Sequence, residues 1–189
     1  MIAFSFWIKF TSVGAELELY RFTETASWFT GRWVEYTLGV DGLSIFFIAL
    51  TAVLTAMCLA FSARSTAKEG GLFVGLFLLM EALLILAFSS LTLLGFYVFF
   101  EATLIPMFLI VIVWGSRSRK VRAAYYLFYY TLCGSVLILF CILYLYSAAG
   151  STHPHHIGAY SFLPTEQALL WGALFVGLGV KVPVIPFHI

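Results

Sequence analysis

Charged residues are scarce in this chain. Asp, Glu, Lys and Arg together make up 10% of its 189 residues, hydrophobic residues make up 62%, and the mean hydropathy is +1.03. Soluble domains are nearer half apolar and about a quarter charged, so the natural solvent for most of this chain is lipid. The composition excludes a soluble enzyme, and a net charge of +1 gives no indication of a nucleic-acid partner.

Cysteine is also rare. Cys58, Cys133 and Cys141 all lie within apolar stretches, where cysteine usually behaves as a small hydrophobic residue. The sequence contains no CxxC motif and no Cys/His cluster. We therefore expect no metal site and no bound cofactor in this chain.

Apolar runs long enough to cross a bilayer recur to the last residue. A spanning helix needs about 20 mostly apolar residues, and five stretches meet this length, over residues 42–63, 71–89, 92–114, 123–148 and 168–189. They predict an all-α fold, a polytopic transmembrane helical bundle covering residues 41–189. Residues 1–40 are predicted to form a partial N-terminal helix, too short to cross alone, and an extramembrane loop.

Basic residues predict the orientation of the bundle. Arg64 and Lys68 follow the first span, and the GSRSRKVR stretch follows the third, so these loops fall on the same side of the membrane. The excess of lysine and arginine predicts that this side is the matrix or cytoplasmic one. The same stretch is also a candidate for binding anionic lipid, although ordinary topology explains it equally well.

Three charged residues lie inside predicted spans: Glu81, Glu101 and Lys181. A charge at the bilayer centre costs at least about 2.5–3.5 kcal/mol, so such residues are rare and usually functional. Glu101 precedes Pro106, which should kink the helix and free the carbonyl of Ala102. Burial favours a protonated acid and a nearby cation favours a carboxylate, so Glu101 is a candidate proton carrier. The alternative is a protonated acid that bonds one neighbouring helix.

Lys181 is the candidate cation. It lies in GLGVKVPVIPFHI, between two glycines and two prolines that predict a broken helix. Non-helical backbone at membrane depth is tolerated only inside protein or beside a water-filled cavity, and broken helices with a buried ionisable residue are typical of ion pathways. The alternative is a helix that simply ends here, with the lysine reaching to the interface.

Two further titratable residues each have two possible roles. Glu81 is either a second proton site or a neutral helix–helix hydrogen bond. His188 follows the broken segment and is a candidate proton relay, with a structural hydrogen bond as the alternative. His153, His155 and His156 form a cluster that fits a solvated loop better than a metal site, because no carboxylate or cysteine accompanies them.

Three segments carry a family resemblance: GVDGLSIFFIALTAVLTAMC, FYVFFEATLIPMFLIVIVWGSRSRKVRAAYYLF and VKVPVIPFHI. They resemble the subunit 4 family of mitochondrial NADH:ubiquinone oxidoreductase (respiratory complex I), whose members are antiporter-like proton-pumping subunits. The resemblance implies that Glu101 and Lys181 correspond to the family's ion pair on helices 5 and 7. It implies that Glu81 corresponds to an acidic position on helix 4, and His188 to a histidine that follows the lysine.

The resemblance also implies the setting of the chain. Its partners would be the other membrane-arm subunits and membrane lipids, in the mitochondrial inner membrane. NADH, FMN, iron–sulfur clusters and ubiquinone would belong to the whole complex. The family has fourteen helices and this chain resembles only the end of helix 2 through helix 7, so we expect a fragment of a split subunit whose second polypeptide carries the remaining helices.

Two alternatives to this function stay open. The first is a subunit of a cation/proton antiporter complex, which would use the same glutamate and lysine. The second is a structural membrane protein that supports assembly only, in which neutralising Glu101 would leave activity intact.

Overall fold

The computed structural model describes residues 20–27, 35–62, 70–115, 118–182 and 184–185. Its elements, in chain order, are β1 (Arg21–Ser27), β2 (Glu35–Val40), α1 (Ser44–Ser62), α2 (Gly70–Ser89), α3 (Leu93–Ala102), α4 (Leu104–Trp114), α5 (Lys120–Ala149), α6 (Pro154–Gly158) and α7 (Pro164–Lys181). The chain divides into two compact units, Met1–Leu91 and Thr92–Ile189. The predicted helical fold is confirmed, with differences at three places.

The first difference is a β-hairpin in the predicted extramembrane loop. β1 and β2 pair antiparallel, with Thr25 opposite Thr37, and both strands are rich in β-branched and aromatic residues that favour extended backbone. The hairpin is tied to the end of α2, because the Leu91 N–H donates to the Thr37 carbonyl at 2.9 Å. The predicted N-terminal partial helix lies outside the described residues.

Helices α1 and α2 form the rest of the first unit. Asp41 caps α1, since its carboxylate accepts a hydrogen bond from the Ser44 N–H at 2.6 Å. Neither helix carries a charge in its end turns, and large apolar side chains on both remain exposed. Exposed apolar surface of this extent is what a lipid-facing helix presents.

The second difference lies in the third predicted span, which is two helices. α3 ends at Ala102 and α4 begins at Leu104, with Thr103 between them. Pro106, which is fully buried, cannot donate to the Ala102 carbonyl, and this accounts for the break. The Thr103 hydroxyl donates to the Phe100 carbonyl at 2.7 Å and so satisfies one acceptor beside the break.

The long helix α5 organises the second unit. It packs against α3, α4 and α7, and its buried face includes Ala124, Ile138 and Cys141. It ends at Gly150, which adopts φ +68°, a left-handed conformation that favours glycine, and donates to the Tyr146 carbonyl.

Four of the five predicted spans are long and apolar enough to cross a membrane: Ser44–Ser62, Gly70–Ser89, Leu93–Trp114 and Lys120–Ala149. The third difference concerns the fifth. α7 has 18 residues, about 27 Å at the usual helical rise, and is not among the candidate spans found in the described part of the chain. It runs through both glycines that were predicted to break it and ends at Lys181, before the first proline.

Candidate functional site

A buried ion pair joins α3 to α7. The Lys181 Nζ donates to Glu101 Oε1 at 2.5 Å, and the two side chains are only 9% and 16% exposed. It is the one ion pair among the described residues, and it joins positions 80 residues apart in the sequence. Lys181 therefore does not reach out to the interface; it turns inward to the carboxylate.

The Lys181 ammonium has a second favourable neighbour. Its Nζ lies 3.7 Å from the centroid of the Phe100 ring, a distance at which the negative face of the ring attracts a cation. Phe100 directly precedes Glu101, so one short stretch of α3 supplies both contacts.

Glu101 uses only one of its two oxygens. Oε2 is buried and has no hydrogen-bond partner in the part of the chain that the structure describes. A buried polar atom normally has a partner, and an unsatisfied one costs about 1–3 kcal/mol. This oxygen is therefore an unsatisfied acceptor at the centre of the site.

Two glycines set how closely α7 approaches α5. A Cβ on Gly177 would lie 2.6 Å from Ile138 Cγ1 and 2.9 Å from the Gly134 carbonyl oxygen, and a Cβ on Gly134 would lie 2.8 Å from Val180. Only glycine permits such an approach. Lys181 lies one helical turn after Gly177. The close contact between α7 and α5 therefore sets the position of the Lys181 ammonium within the bundle.

Two hydroxyl groups lie beside the pair. Tyr97, one turn before Glu101 on α3, lies within interaction range of both Glu101 and the Ser135 hydroxyl of α5. Ser135 is 1% exposed and donates to the Leu132 carbonyl at 2.8 Å. These groups extend the polar interior of the unit beyond the two charges.

The outer end of the same helix pair carries a separate polar contact. The Tyr144 hydroxyl of α5 donates to Glu166 Oε1 at 2.8 Å, and Glu166 Oε2 accepts from the Leu163 N–H at 3.0 Å. The carboxylate thus caps the start of α7 and joins it to α5.

The remaining predicted site residues lie elsewhere. Glu81 is half-buried near the middle of α2, in the first unit, and makes no hydrogen bond or ion pair with a described residue. His188 lies outside the described residues. His155 and His156 are exposed on the short helix α6 with His153 at its start, and no group of three or more potential ligands in the described ranges could hold a metal ion.

Sequence reasoning missed the neighbours of the pair. Tyr97 precedes Glu101 by four residues, so helical spacing alone could have placed it on the same face. Phe100 and Ser135 carried no comparable signal, because aromatic rings and serines are common in spanning helices. Gly177 was noticed as a helix breaker, whereas its role in the structure is close packing.

A buried carboxylate–ammonium pair between helices of a multi-span bundle defines a membrane protein with an intramembrane ionisable site. The family described as NADH:quinone oxidoreductase/Mrp antiporter, TM, matches residues 90–189, which include the whole site. Because this match covers more than half of the chain, the chain belongs to that family.

Relatives extend the likeness to nearly the full chain. The chain is 45% identical over 183 residues to NADH-ubiquinone oxidoreductase chain 4 of Chondrus crispus, covering 97% of this chain and 37% of the relative. It is 42% identical over 171 residues to NADH-quinone oxidoreductase subunit M of Rickettsia bellii, covering 89% of this chain and 34% of the relative. The chain thus spans little more than a third of the length of these proteins.

Solved structures agree on the fold. A chain of respiratory complex I from Thermus thermophilus matches with a TM-score of 0.81 and 30% identity, over 98% of this chain and 39% of that one. A chain of an archaeal membrane-bound sulfane sulfur reductase matches with a TM-score of 0.76 at 22% identity, over 99% of this chain and 29% of that one. The second likeness shows the fold alone.

Proposed function

We propose that this chain is part of a proton-translocating membrane subunit of NADH:ubiquinone oxidoreductase, in which Glu101 and Lys181 hold and release protons. The observation that carries the proposal is the buried pair itself, with its short Nζ–Oε1 contact. Intramembrane ionisable residues are costly, and they face the interior of helical bundles where ions or protons move.

The proposed cycle alternates a closed and an open pair. In the closed pair the carboxylate stabilises a charged lysine. When the pair opens, burial disfavours the uncompensated ammonium, and Lys181 gives its proton to the next titratable group. Closing the pair again favours a charged lysine, which then takes a proton from the inner side.

The cycle requires energy from outside this chain. Breaking a buried pair leaves an uncompensated charge and costs about 3–5 kcal/mol. We propose that this energy comes from the redox reaction of the whole complex, whose NADH, FMN, iron–sulfur clusters and ubiquinone are bound by other subunits. The groups that complete the proton path would correspond to the parts of the relatives that this chain does not cover.

The proposed setting is the mitochondrial inner membrane, with other membrane-arm subunits as partners. Its support is the naming of the relatives that cover most of the chain, since the eukaryotic ones are ubiquinone oxidoreductase chains. Glu81 and His188 are retained as proposed secondary proton groups, on the family resemblance alone.

The test is Lys181→Met in the assembled complex. Reconstituted vesicles report NADH oxidation and proton uptake together, and the variant should move fewer protons per electron. Lys120→Met is the matched control, because Lys120 is a lysine of the same unit whose Nζ donates to the Val113 carbonyl at 2.7 Å and takes no part in the pair. An unchanged proton-to-electron ratio for Lys181→Met would overturn the mechanism.

The identity of the complex has its own test. Purification of the native assembly should yield flavin and iron–sulfur subunits. If those subunits are absent and the chain instead exchanges cations for protons, it belongs to an antiporter complex that uses the same pair.

A further inference from the structure

One face of α5, at its start, carries basic and aromatic side chains around an open groove. The groove has a volume of about 820 Å³, and the residues that line it include Ser118, Arg119, Arg122, Tyr125, Tyr126 and Tyr129. Their spacing of three, four and seven residues places the arginines and the tyrosines on the same side of the helix. Neither Glu101 nor Lys181 lines the groove, and the proposed proton cycle does not use it.

In the part of the chain that the structure describes, the two arginines of the groove have no anionic partner. Neither Arg119 nor Arg122 takes part in an ion pair within the described residues, and none of the described lining residues is acidic. Lys120, which lies between them, is already engaged with the Val113 carbonyl. Two guanidinium groups three residues apart, without an ion-pair partner among the described residues, form a site for an anion with several oxygen atoms, since arginine binds phosphate through paired N–H donors.

Three tyrosines lie beside the arginines, and ring contacts hold two of them, Tyr125 and Tyr129. The Tyr125 ring meets the edge of Phe108 at 5.3 Å and stacks on Tyr129 at 6.1 Å, with 17° between the ring planes. Tyr126 is 68% exposed. From Arg119 to Tyr129 the helix rises about 15 Å, which exceeds the headgroup layer of roughly 5–8 Å on each side of a bilayer. The surface therefore continues from headgroup depth into the acyl chains.

We propose that this groove binds an anionic phospholipid, with its phosphate between Arg119 and Arg122 and its upper acyl chain against Tyr126. The charge of the groove calls for an anion, and the tyrosines that continue along a spanning helix select a lipid over a soluble phosphate. Tyrosine is enriched at the membrane interface for the same reason, since its ring is apolar and its hydroxyl is polar.

The test is a lipid titration of the full chain. The purified chain in detergent micelles is titrated with phosphatidylglycerol and, separately, with phosphatidylcholine, and bound lipid is counted by native mass spectrometry. The Arg119→Gln/Arg122→Gln variant should bind phosphatidylglycerol about thirtyfold more weakly, which corresponds to about 2 kcal/mol for two basic residues near a lipid surface. Circular dichroism checks that its helix content is unchanged.

The matched control is Arg64→Gln/Lys68→Gln. It removes the same number of positive charges from the other basic stretch of the sequence, and it should keep the preference for phosphatidylglycerol. An equal loss in both double variants would overturn the proposal, because it would reduce the groove to general surface charge. Displacement of the lipid by inorganic phosphate at the same concentration would also overturn it, because the site would then belong to a soluble anion.

Two further variants keep the test decisive if the Arg119→Gln/Arg122→Gln variant does not fold. Arg119→Lys/Arg122→Lys retains the charge and should weaken, without abolishing, the preference for phosphatidylglycerol. Tyr126→Ala changes an exposed side chain and should lower the affinity for both lipids. Unaltered binding in both of these variants would exclude the groove as the lipid site.

Discussion

Replacing Gly177 by alanine should disturb the ion pair without touching either of its members. The new Cβ would lie 2.6 Å from Ile138 Cγ1 and 2.9 Å from the Gly134 carbonyl oxygen. Non-bonded carbon atoms prefer about 3.5–4.0 Å, so α7 must move away from α5 by roughly 1 Å. Lys181 lies one turn further along the same helix face and moves with it.

The expected effect on the ion pair follows from the distance between Lys181 Nζ and Glu101 Oε1. If the ammonium retreats by the same amount, the present 2.5 Å contact between Nζ and Oε1 becomes about 3.5 Å, beyond a good hydrogen bond. A misplacement of about 1 Å can lower a rate by about 10²-fold. Stability should change much less, because overpacking costs about 1–3 kcal/mol while replacing glycine by alanine in a helix returns about 1 kcal/mol.

The assay compares Gly177→Ala with Gly172→Ala in the assembled complex. A Cβ on Gly172, in the same helix, would meet nothing within 4 Å, so this variant receives the helix-propensity gain without the clash. Proton translocation per electron should fall in Gly177→Ala only, while thermal unfolding shifts modestly in both. Equal proton translocation in the two variants would refute the idea that close packing of α7 positions Lys181.

Three other changes test separate parts of the structure. Asp41→Ala should destabilise the chain by about 1 kcal/mol near neutral pH. Hydrogen bonding to Ser44 lowers the pKa of Asp41. The stabilisation by Asp41 is therefore fully present above the usual aspartate pKa of about 3.9 and is lost as the pH falls through the lowered pKa. Thermal unfolding at several pH values would show this loss. Tyr97→Phe removes the hydroxyl one turn from the ion pair and should reduce protons moved per electron; an unchanged ratio would exclude it from the path. Tyr144→Phe removes the hydrogen bond to Glu166 and should cost about 1 kcal/mol in thermal unfolding, with proton translocation intact.

The helices were predictable from sequence, because apolar runs of spanning length are a strong signal. The prediction of residues 123–148 as a span agrees closely with α5, Lys120–Ala149. The kink near Pro106 was also predictable, since a missing N–H has a local effect. The hairpin of β1 and β2 was not predictable, because its two strands are short and carry charges that are typical of an extramembrane loop.

The contact between Glu101 and Lys181 lay beyond the reach of residue patterns. Each residue was identified as a buried charge by its own surroundings in the sequence. Their meeting depends on how α3 and α7 pack against α5, and this packing depends on Gly134 and Gly177. The sequence offered Lys181 as the candidate cation for Glu101 and the family resemblance implied the pair, but composition and periodicity do not encode which two helices approach most closely.

The surroundings of the pair stabilise the charge of Lys181 more than the charge of Glu101. Lys181 is the last residue of α7, where the partial negative charge of a helix end favours an ammonium, and it also faces the Phe100 ring. Glu101 lies where the end of α3 meets the start of α4, so the two helix ends offset each other. Among the described residues its carboxylate has one hydrogen-bond partner, Lys181 on Oε1, and its Oε2 has none. If the pair opens, Lys181 keeps the helix end and the Phe100 ring as stabilising contacts, whereas Glu101 loses its hydrogen-bond partner. Opening the pair therefore costs the carboxylate more than it costs the ammonium.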